Sequence, residues 1–215
     1  MIQAVLFDLD GTLADTALDL GGALNALLRR RNLPEKSMDD IRPHASHGAN
    51  GLLKAGAGIT PEHPEHAQWR QEYLDEYGRR FADETVLFDD INALLIELDK
   101  RGLAWGIITN KPARFTDQLV PRLGFAVAPA VVVSGDTCSQ AKPSTEPMFY
   151  ACEQIGVAPQ HCLYLGDAER DMQAAKNAGM KAVLVDWGYI AAEDNTEAWL
   201  QDIRIATPLA LLDVL

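Results

Sequence analysis

The sequence has few cysteines and little positive charge, and both shortages exclude classes of protein. Its three cysteines, Cys138, Cys152 and Cys162, show neither CxxC spacing nor a nearby histidine cluster. This argues against a disulfide framework and against a zinc site. Lys and Arg total 19 against 31 Asp and Glu, so the formal net charge is −12. Because nucleic acid requires a basic surface, we expect no nucleic-acid partner, and an anionic substrate would need positive charge supplied at its own site.

Long hydrophobic runs, internal repeats and low-complexity tracts are also absent. No uncharged run approaches the ~20 residues of a membrane helix, and the N-terminal residues lack a basic segment and reach Asp8 and Asp10 almost at once. We therefore expect neither export nor a membrane partner, and a cytoplasmic location fits the unpaired cysteines. The 215 residues and 47% hydrophobic content indicate an ordinary globular protein with a full core.

Helix and strand patterns alternate along most of the chain. Residues 2–7 form an apolar run typical of a buried strand, and a helix that ends at Gly102 precedes a strand over 103–109. The alternation continues with helices over 114–123, 148–155 and 171–178, strands over 130–134, 162–165 and 182–185, and one or two weaker elements in 199–215. This order predicts an α/β fold with a Rossmann-like, doubly wound parallel sheet and helices on both faces.

About 70 residues after the first strand contain no convincing strand, far more than a crossover needs. We interpret residues 15–84 as an inserted helical subdomain, called the cap below, and residues 1–14 and 85–215 as the core that contains the sheet. Two apolar helix faces support the cap: Leu20, Leu24, Leu27 and Leu28 on one, and Trp69, Tyr73, Tyr77 and Phe81 on the other, with Thr60-Pro61 as the expected start of the second helix. The aromatic stripe is predicted to be core rather than a ligand site.

Polar side chains follow several of the predicted strands. They form four clusters: Asp8/Asp10/Thr12, Thr109/Asn110, Lys142/Pro143 and Gly166/Asp167/Asp171. Because the loops after parallel strands open at one edge of a sheet, these clusters should converge in space.

Asp8 and Asp10 lie two residues apart, so at an extended strand end their side chains would share a face. Two adjacent carboxylates repel each other unless a cation lies between them. Asp167 offers a third carboxylate, and oxygen ligands of this kind suit Mg²⁺. An acidic pair alone is more often a helix cap, but the combination predicts a magnesium site.

The four clusters together resemble the motifs of the haloacid dehalogenase superfamily. The residues that carry the resemblance are, in order, Asp8-Leu9-Asp10-Gly11-Thr12, Thr109-Asn110-Lys111-Pro112, Lys142-Pro143-Ser144-Thr145-Glu146-Pro147 and Gly166-Asp167 with Asp171. The position of the cap after the first motif is similar to that in the phosphoglycolate-phosphatase-like branch. The resemblance covers the whole chain and implies a Mg²⁺-dependent phosphatase of a small phosphorylated metabolite.

The resemblance implies a role for each motif residue. Asp8 would be the nucleophile that forms an aspartyl phosphate, and Asp10 the general acid and base, with its backbone carbonyl as a metal ligand. Thr109 and Lys142 would hold the phosphoryl oxygens, while Asp8 and Asp167 bind Mg²⁺. Asp171 would orient Lys142 or a metal-bound water, or simply begin a helix. Thr12 and Asn110 are further candidates for substrate binding.

Substrate choice must come from the cap, because the motif residues contact only the phosphoryl group. The expected contact loop, residues 46–50, contains His47 and Gly48. By resemblance, 2-phosphoglycolate is the first candidate substrate and N-acetylmuramic acid 6-phosphate the second, and Arg42 or His47 could meet the carboxylate of either. The pattern is compatible with a monomer or a homodimer.

Two departures from the family pattern and three alternatives accompany this interpretation. By resemblance, many family members have a Pro-Gly pair after the cap where this chain reads Phe88-Asp89-Asp90, and serine or another polar residue where it has Ala168. A phosphosugar mutase is disfavoured because such enzymes carry a cap histidine near the position of Leu20, and a dehalogenase because it needs no acid at Asp10. A non-enzymatic phospho-switch is disfavoured because it would lack the cap.

Overall fold

The computed structural model describes residues 1–215 and centres on a six-stranded parallel sheet. Its strands are β1 (Ala4–Phe7), β4 (Ala104–Ile108), β5 (Val131–Val133), β6 (Cys162–Gly166), β7 (Lys181–Val185) and β8 (Ile203–Ile205). Two short strands, β2 (Ala14–Asp15) and β3 (Val86–Leu87), form a separate antiparallel pair. The parallel sheet confirms the predicted α/β fold.

The strand order is β5-β4-β1-β6-β7-β8, which places β1 in the middle of the sheet. β1 pairs in parallel with β4 on one side and with β6 on the other. The chain extends the sheet first through β4 and β5 and then through β6, β7 and β8, so the order reverses at β1. Ligands bind beyond the carboxyl ends of the strands at such a switch point, and Asp8 directly follows β1.

Eight α-helices accompany the strands. They are α1 (Ala17–Arg30), α2 (Met38–Ile41), α3 (Gly48–Ala57), α4 (His66–Gly78), α5 (Ile91–Lys100), α6 (Ala113–Leu119), α7 (Glu146–Ile155) and α8 (Glu169–Ala178). Helices α1 to α4 all lie between β2 and β3, in the segment predicted to form the cap. No helix is both long and apolar enough to span a membrane.

The prediction that the second cap helix begins at Thr60-Pro61 is wrong, because α4 begins at His66. Residues 60–65 form turns instead, in which His63 N donates to the Thr60 carbonyl and His66 N to the His63 carbonyl. Pro64 explains the difference: it lacks the N–H that would donate to the Thr60 carbonyl in a helix.

Two apolar cores lie on either side of the sheet. The larger contains 36 buried residues and includes the inner faces of α1 and α4 together with Val5 and Phe7 of β1. Trp69, Tyr73 and Tyr77 belong to it, as the sequence predicts, but Tyr73 and Tyr77 also line a cavity, so the prediction of core rather than ligand site holds only in part. The smaller core has 18 buried residues from the other sheet face, α7 and α8. The inserted helices and the sheet therefore share one apolar interior.

Candidate active site

Asp8 lies at the carboxyl end of β1 and is 2% exposed. Its Oδ1 accepts a hydrogen bond from the backbone N of Leu9 at 2.8 Å and pairs with Lys142 Nζ at 2.9 Å. The geometry holds one oxygen of this carboxylate firmly and leaves Oδ2 without a hydrogen bond.

Lys142 is the central cation of the site, and its side chain is fully buried. Besides Asp8, its ammonium pairs with Asp171 Oδ1 at 2.8 Å and donates to the Ile108 carbonyl and the Tyr164 hydroxyl, at 2.8 and 2.6 Å. A buried ammonium remains charged only with such partners. These contacts fix Lys142 next to Asp8.

Asn110 positions the loop that carries Lys142. Its side-chain amide donates to the Lys142 carbonyl, and its Oδ1 accepts from the Lys142 backbone N, both at 2.9 Å. Because the side-chain amide of Asn110 is bonded to the backbone of Lys142, Asn110 would have to contact a substrate through its own backbone.

Asp8, Asp167 and Asp171 bring three buried carboxylates together, each with an oxygen within 4.8 Å of the others. Burial, followed by the charges of Asp171 and Asp8, raises the pKa of Asp167 to about 7. Burial also raises the pKa of Asp171, against the opposing effect of Lys142. Asp167 Oδ1 is buried with no hydrogen-bond partner. Crowded carboxylates with an unpartnered oxygen fit a hard divalent cation such as Mg²⁺.

Gly11 and Gly188 allow the backbone to pass close to Asp167. A Cβ on Gly11 would lie 2.1 Å from Asp167 Oδ2, and one on Gly188 would lie 2.2 Å from Asp167 Cβ. Gly11 also has φ of +81°, which only glycine adopts without strain. Glycine is therefore required on both sides of this carboxylate.

Asp10 is half-buried, and its Oδ1 pairs with Lys111 Nζ at 2.9 Å. The Lys111 ammonium also lies 4.6 Å from the centre of the Tyr77 ring, on the cap helix α4. Sequence reasoning assigned no role to Lys111, although it lies within the second motif. Its pairing with Asp10 joins two segments far apart in the chain, and no local pattern indicates it.

A cavity of about 450 Å³ lies between the cap and the core. We name its two sides by the residues that line them. The core end consists of Asp8, Asp10, Thr109, Asn110, Lys111, Pro112, Phe115 and Arg170, and the cap end consists of Leu20, residues 45–51, Arg70, Tyr73, Leu74 and Tyr77. The predicted residues Thr109, His47 and Gly48 all line this cavity, and Thr109 is 3% exposed.

Ser46, in the helical insert, contacts both Asp167 and Arg170. The Ser46 hydroxyl donates to Asp167 Oδ2, and Arg170 donates to the Ser46 carbonyl at 2.6 Å. Arg170 also lies 3.9 Å from Asp8 Oδ2. The sequence analysis missed Arg170, although it lies between Asp167 and Asp171 in the fourth motif.

Two predicted substrate contacts lie away from the cavity. Thr12 is fully buried and is not among the residues that line the cavity. Arg42 pairs with Asp15 at 2.7 Å and lies 5.2 Å from the centre of the Tyr189 ring, so it is not a cavity residue either. Its guanidinium is therefore already paired with Asp15.

Tyr189 connects the acidic cluster to the start of the cap. Its backbone N donates to Asp167 Oδ2 at 2.8 Å, and its hydroxyl donates to Asp15 Oδ1 at 2.9 Å. The same hydroxyl accepts from the backbone N atoms of Thr16 and Ala17, at 2.7 and 3.0 Å. No sequence motif indicated this residue, because its role depends on contacts over more than 170 positions.

Comparison with known proteins decides the family. Residues 5–185 match the sequence model described as haloacid dehalogenase-like hydrolase. The chain belongs to the haloacid dehalogenase-like hydrolase family. This confirms the resemblance drawn from the four motifs.

Curated relatives within this hydrolase family are named phosphatases. The N-acetylmuramic acid 6-phosphate phosphatase of Pseudomonas aeruginosa is 39% identical over 214 residues, which cover 100% of this chain and 95% of that protein. The phosphoglycolate phosphatase of Xanthomonas campestris pv. campestris is 37% identical, with 96% of this chain and 93% of that protein covered. These relatives match the predicted reaction class.

Solved structures of this hydrolase family share the fold. A haloacid dehalogenase-like hydrolase from Streptococcus pneumoniae aligns with a TM-score of 0.83 at 23% identity, over 99% of this chain and 98% of that one. A hydrolase from Pseudomonas syringae aligns with a TM-score of 0.75 at 26% identity, over 98% and 96%. The sheet and the inserted helices therefore recur in these proteins.

Proposed function

We propose that this hydrolase is a Mg²⁺-dependent phosphatase of a small phosphomonoester that carries a carboxylate, and that it acts through an aspartyl phosphate on Asp8. One observation supports this most directly: Asp8 lies in the cavity wall, paired with the ammonium of Lys142 and within 4.8 Å of two further buried carboxylates. A nucleophile, a fixed cation and a metal-type cluster in one cavity are the components of phosphoryl transfer.

Asp8 is the proposed nucleophile. One of its oxygens attacks phosphorus, a new O–P bond forms, and the bond from phosphorus to the substrate oxygen breaks. The hydrogen bond from Leu9 and the ion pair with Lys142 hold the carboxylate in one orientation, so little orientational freedom is lost in the attack.

Asp10 is the proposed general acid and base. It gives a proton to the leaving alkoxide and becomes a carboxylate, which the Lys111 ammonium at 2.9 Å stabilises. In the second step Asp10 takes a proton from the water that attacks the aspartyl phosphate. Phosphate then leaves, and Asp8 returns to its starting state.

The remaining charged groups serve the phosphoryl oxygens. Lys142 and Arg170 lie next to Asp8, and Thr109 lines the same cavity; preorganised groups of this kind stabilise the charge that develops in the transition state. Four carboxylates and three fixed cations surround the site. Without a metal ion its net charge is therefore negative, which disfavours the binding of a phosphate dianion. Asp8 and Asp167 would bind Mg²⁺, with Asp171 behind them, and the ion would offset the negative charge of the phosphoryl oxygens.

The size and lining of the cavity favour a substrate larger than 2-phosphoglycolate. The volume of about 450 Å³ lies in the range of ~300 to 1,000 Å³ typical of sites for drug-sized ligands. A two-carbon acid would leave much of it unfilled, whereas an acylated sugar phosphate would reach the apolar side chains of Leu20, Leu74 and Phe115. Among the two named substrates of the relatives, N-acetylmuramic acid 6-phosphate therefore fits better. Leu20 in the cavity wall also favours a hydrolase over a mutase.

The proposal extends to organisation and location. We assign residues 15–84 to a cap that moves against a core of residues 1–14 and 85–215, in a cytoplasmic enzyme that acts as a monomer or homodimer. Nucleic acid and membranes remain predicted non-partners.

A panel of phosphomonoesters tests the proposal. Phosphate release is measured with Mg²⁺ for N-acetylmuramic acid 6-phosphate, 2-phosphoglycolate, glucose 6-phosphate, AMP and a phosphotyrosine peptide. We expect the highest kcat/KM for a carboxylated member, with N-acetylmuramic acid 6-phosphate above 2-phosphoglycolate, and loss of activity in EDTA that Mg²⁺ restores. Highest activity on AMP or the peptide would refute the substrate class, and full activity in EDTA would refute the metal requirement.

A further inference from the structure

Arg70, on cap helix α4, is the only arginine of the chain without a partner. Of the twelve arginines, eight pair with carboxylates. Arg101 donates to a backbone carbonyl, and Arg114 and Arg122 lie over phenylalanine rings. Arg70 makes none of these contacts, in a chain with 31 acidic residues. It lines the cavity that contains Asp8.

The other two strong bases in the cavity wall are already used at the core end. Lys111 pairs with Asp10 at 2.9 Å. Arg170 donates to the Ser46 carbonyl and lies 3.9 Å from Asp8. Both are therefore placed for the phosphoryl end of a substrate. Arg70 comes from the cap end, where its guanidinium is free for a second anionic group.

His47 is the other basic side chain at the cap end, and it is a weaker candidate. Burial and the neighbouring Arg170, with smaller effects from His44 and Lys54, lower the pKa of His47, while Asp194 opposes them. His47 is therefore neutral near pH 7 and offers at most one N–H to a substrate. An arginine stays charged and presents a planar pair of donors that matches a carboxylate.

We propose that Arg70 is the specificity-determining residue of this cavity, where its guanidinium binds the carboxylate of the substrate while Asp8 attacks the phosphoryl group at the core end. This inference rests on the proposed function, because it requires a phosphomonoester with a carboxylate. An ion pair far from phosphorus is the same in the ground state and in the transition state, so it acts on KM more than on kcat.

Two matched pairs of substrates isolate the contribution of the carboxylate. N-acetylmuramic acid 6-phosphate is compared with N-acetylglucosamine 6-phosphate, which lacks the lactyl group, and 2-phosphoglycolate with 2-hydroxyethyl phosphate. The enzymes are the wild type, Arg70→Gln, Arg70→Lys and Arg101→Gln. The last variant removes the same charge from an exposed arginine outside the cavity. Melting temperatures establish that each variant is folded.

We expect Arg70→Gln to lower the acid-to-neutral ratio of kcat/KM by at least ~10-fold, the effect of losing a charge-assisted hydrogen bond, mainly through the KM of the acid. Arg70→Lys should retain part of the preference, and Arg101→Gln all of it. If the wild type prefers the acids and Arg70→Gln keeps that preference, the role of Arg70 is refuted while the proposed function stands. If the wild type hydrolyses neither acid above its neutral partner, both proposals fail.

Discussion

The core end and the cap end of the cavity are built in opposite ways. At the core end, charged side chains are buried and held by several partners each, as Lys142 is by Asp8, Asp171, a carbonyl and a tyrosine hydroxyl. At the cap end, apolar and aromatic side chains surround a few polar groups, and Arg70 has no partner at all. Under the proposed function, the fixed groups of the core end serve the reaction common to all substrates, and Arg70 at the cap end serves the choice among them.

The strongest test of this contrast is a substitution at the core end that keeps the shape of a side chain and removes its negative charge. Asp8→Asn should abolish turnover of every phosphomonoester, by at least ~10³-fold, because an amide cannot act as the nucleophile. Folding should be preserved, since Lys142 keeps its pairing with Asp171. Steady-state phosphate release and a melting curve measure the two effects.

The matched control is Asp186→Asn, which makes the same change at an exposed carboxylate paired with Arg204 outside the cavity. It should leave kcat and KM unchanged. Turnover by Asp8→Asn near the wild-type rate would contradict the assignment of the nucleophile.

The acidic cluster should also make the metal-free protein sensitive to pH. The pKa of Asp167 is about 7 in the folded chain, against an ordinary value of 3.8. The folded state therefore retains a proton that the unfolded state has lost, so the stability contributed by this carboxyl is present below pH ~4 and falls as the pH rises to ~7. The loss is on the order of a few kcal/mol.

Urea unfolding of the wild type and Asp167→Asn in EDTA, at pH 5 and pH 8, measures this loss. Asparagine cannot ionise, so the free energy of unfolding of the variant should rise relative to that of the wild type when the pH is raised from 5 to 8. Mg²⁺ at pH 8 should stabilise the wild type more than the variant. If the free energy of unfolding of the two proteins changed identically with pH, burial and the neighbouring carboxylates would not raise the pKa of Asp167.

The smallest expected effect concerns the connection between the two regions. Asp90 follows β3, where the chain returns from the cap, and it has φ of 63° with no capping hydrogen bond from its side chain. Glycine adopts this conformation without strain. Asp90→Gly should therefore raise the free energy of unfolding by about 0.5 kcal/mol.

Asp89→Gly is the matched control, because Asp89 does not have a positive φ. It should lower the stability slightly through the greater freedom of the unfolded chain. If Asp90→Gly destabilises the protein as much as Asp89→Gly does, the backbone at Asp90 is not strained.

The sequence predicted the core end far better than the cap end. Asp8, Lys142 and Asp167 each follow or lie near a strand of a parallel sheet, and the topology of that sheet brings them to one edge whatever the details of packing. Their neighbours Lys111 and Arg170 lie within the same motifs, but their partners lie in other segments. Only the folded chain shows those pairings.

The cap end depends on packing that short motifs do not describe. Arg42 and Arg70 are both arginines of the helical insert, and only the structure shows that Arg42 is used by Asp15 while Arg70 lines the cavity. The start of α4 was misplaced for a local reason, the missing N–H of Pro64. Tyr189 was missed because its partners are far away in the sequence.

The position of β1 in the middle of the sheet has a consequence for synthesis on the ribosome. Its neighbours are β4 and β6, which begin at residues 104 and 162. At ~5 to 20 residues per second, β1 emerges roughly 5 to 20 s before β4 and longer still before β6. The helical insert is continuous in sequence and emerges in full during that interval. The nucleophile therefore gains its surroundings late, when the chain has passed residue 171 and the last buried carboxylate has emerged.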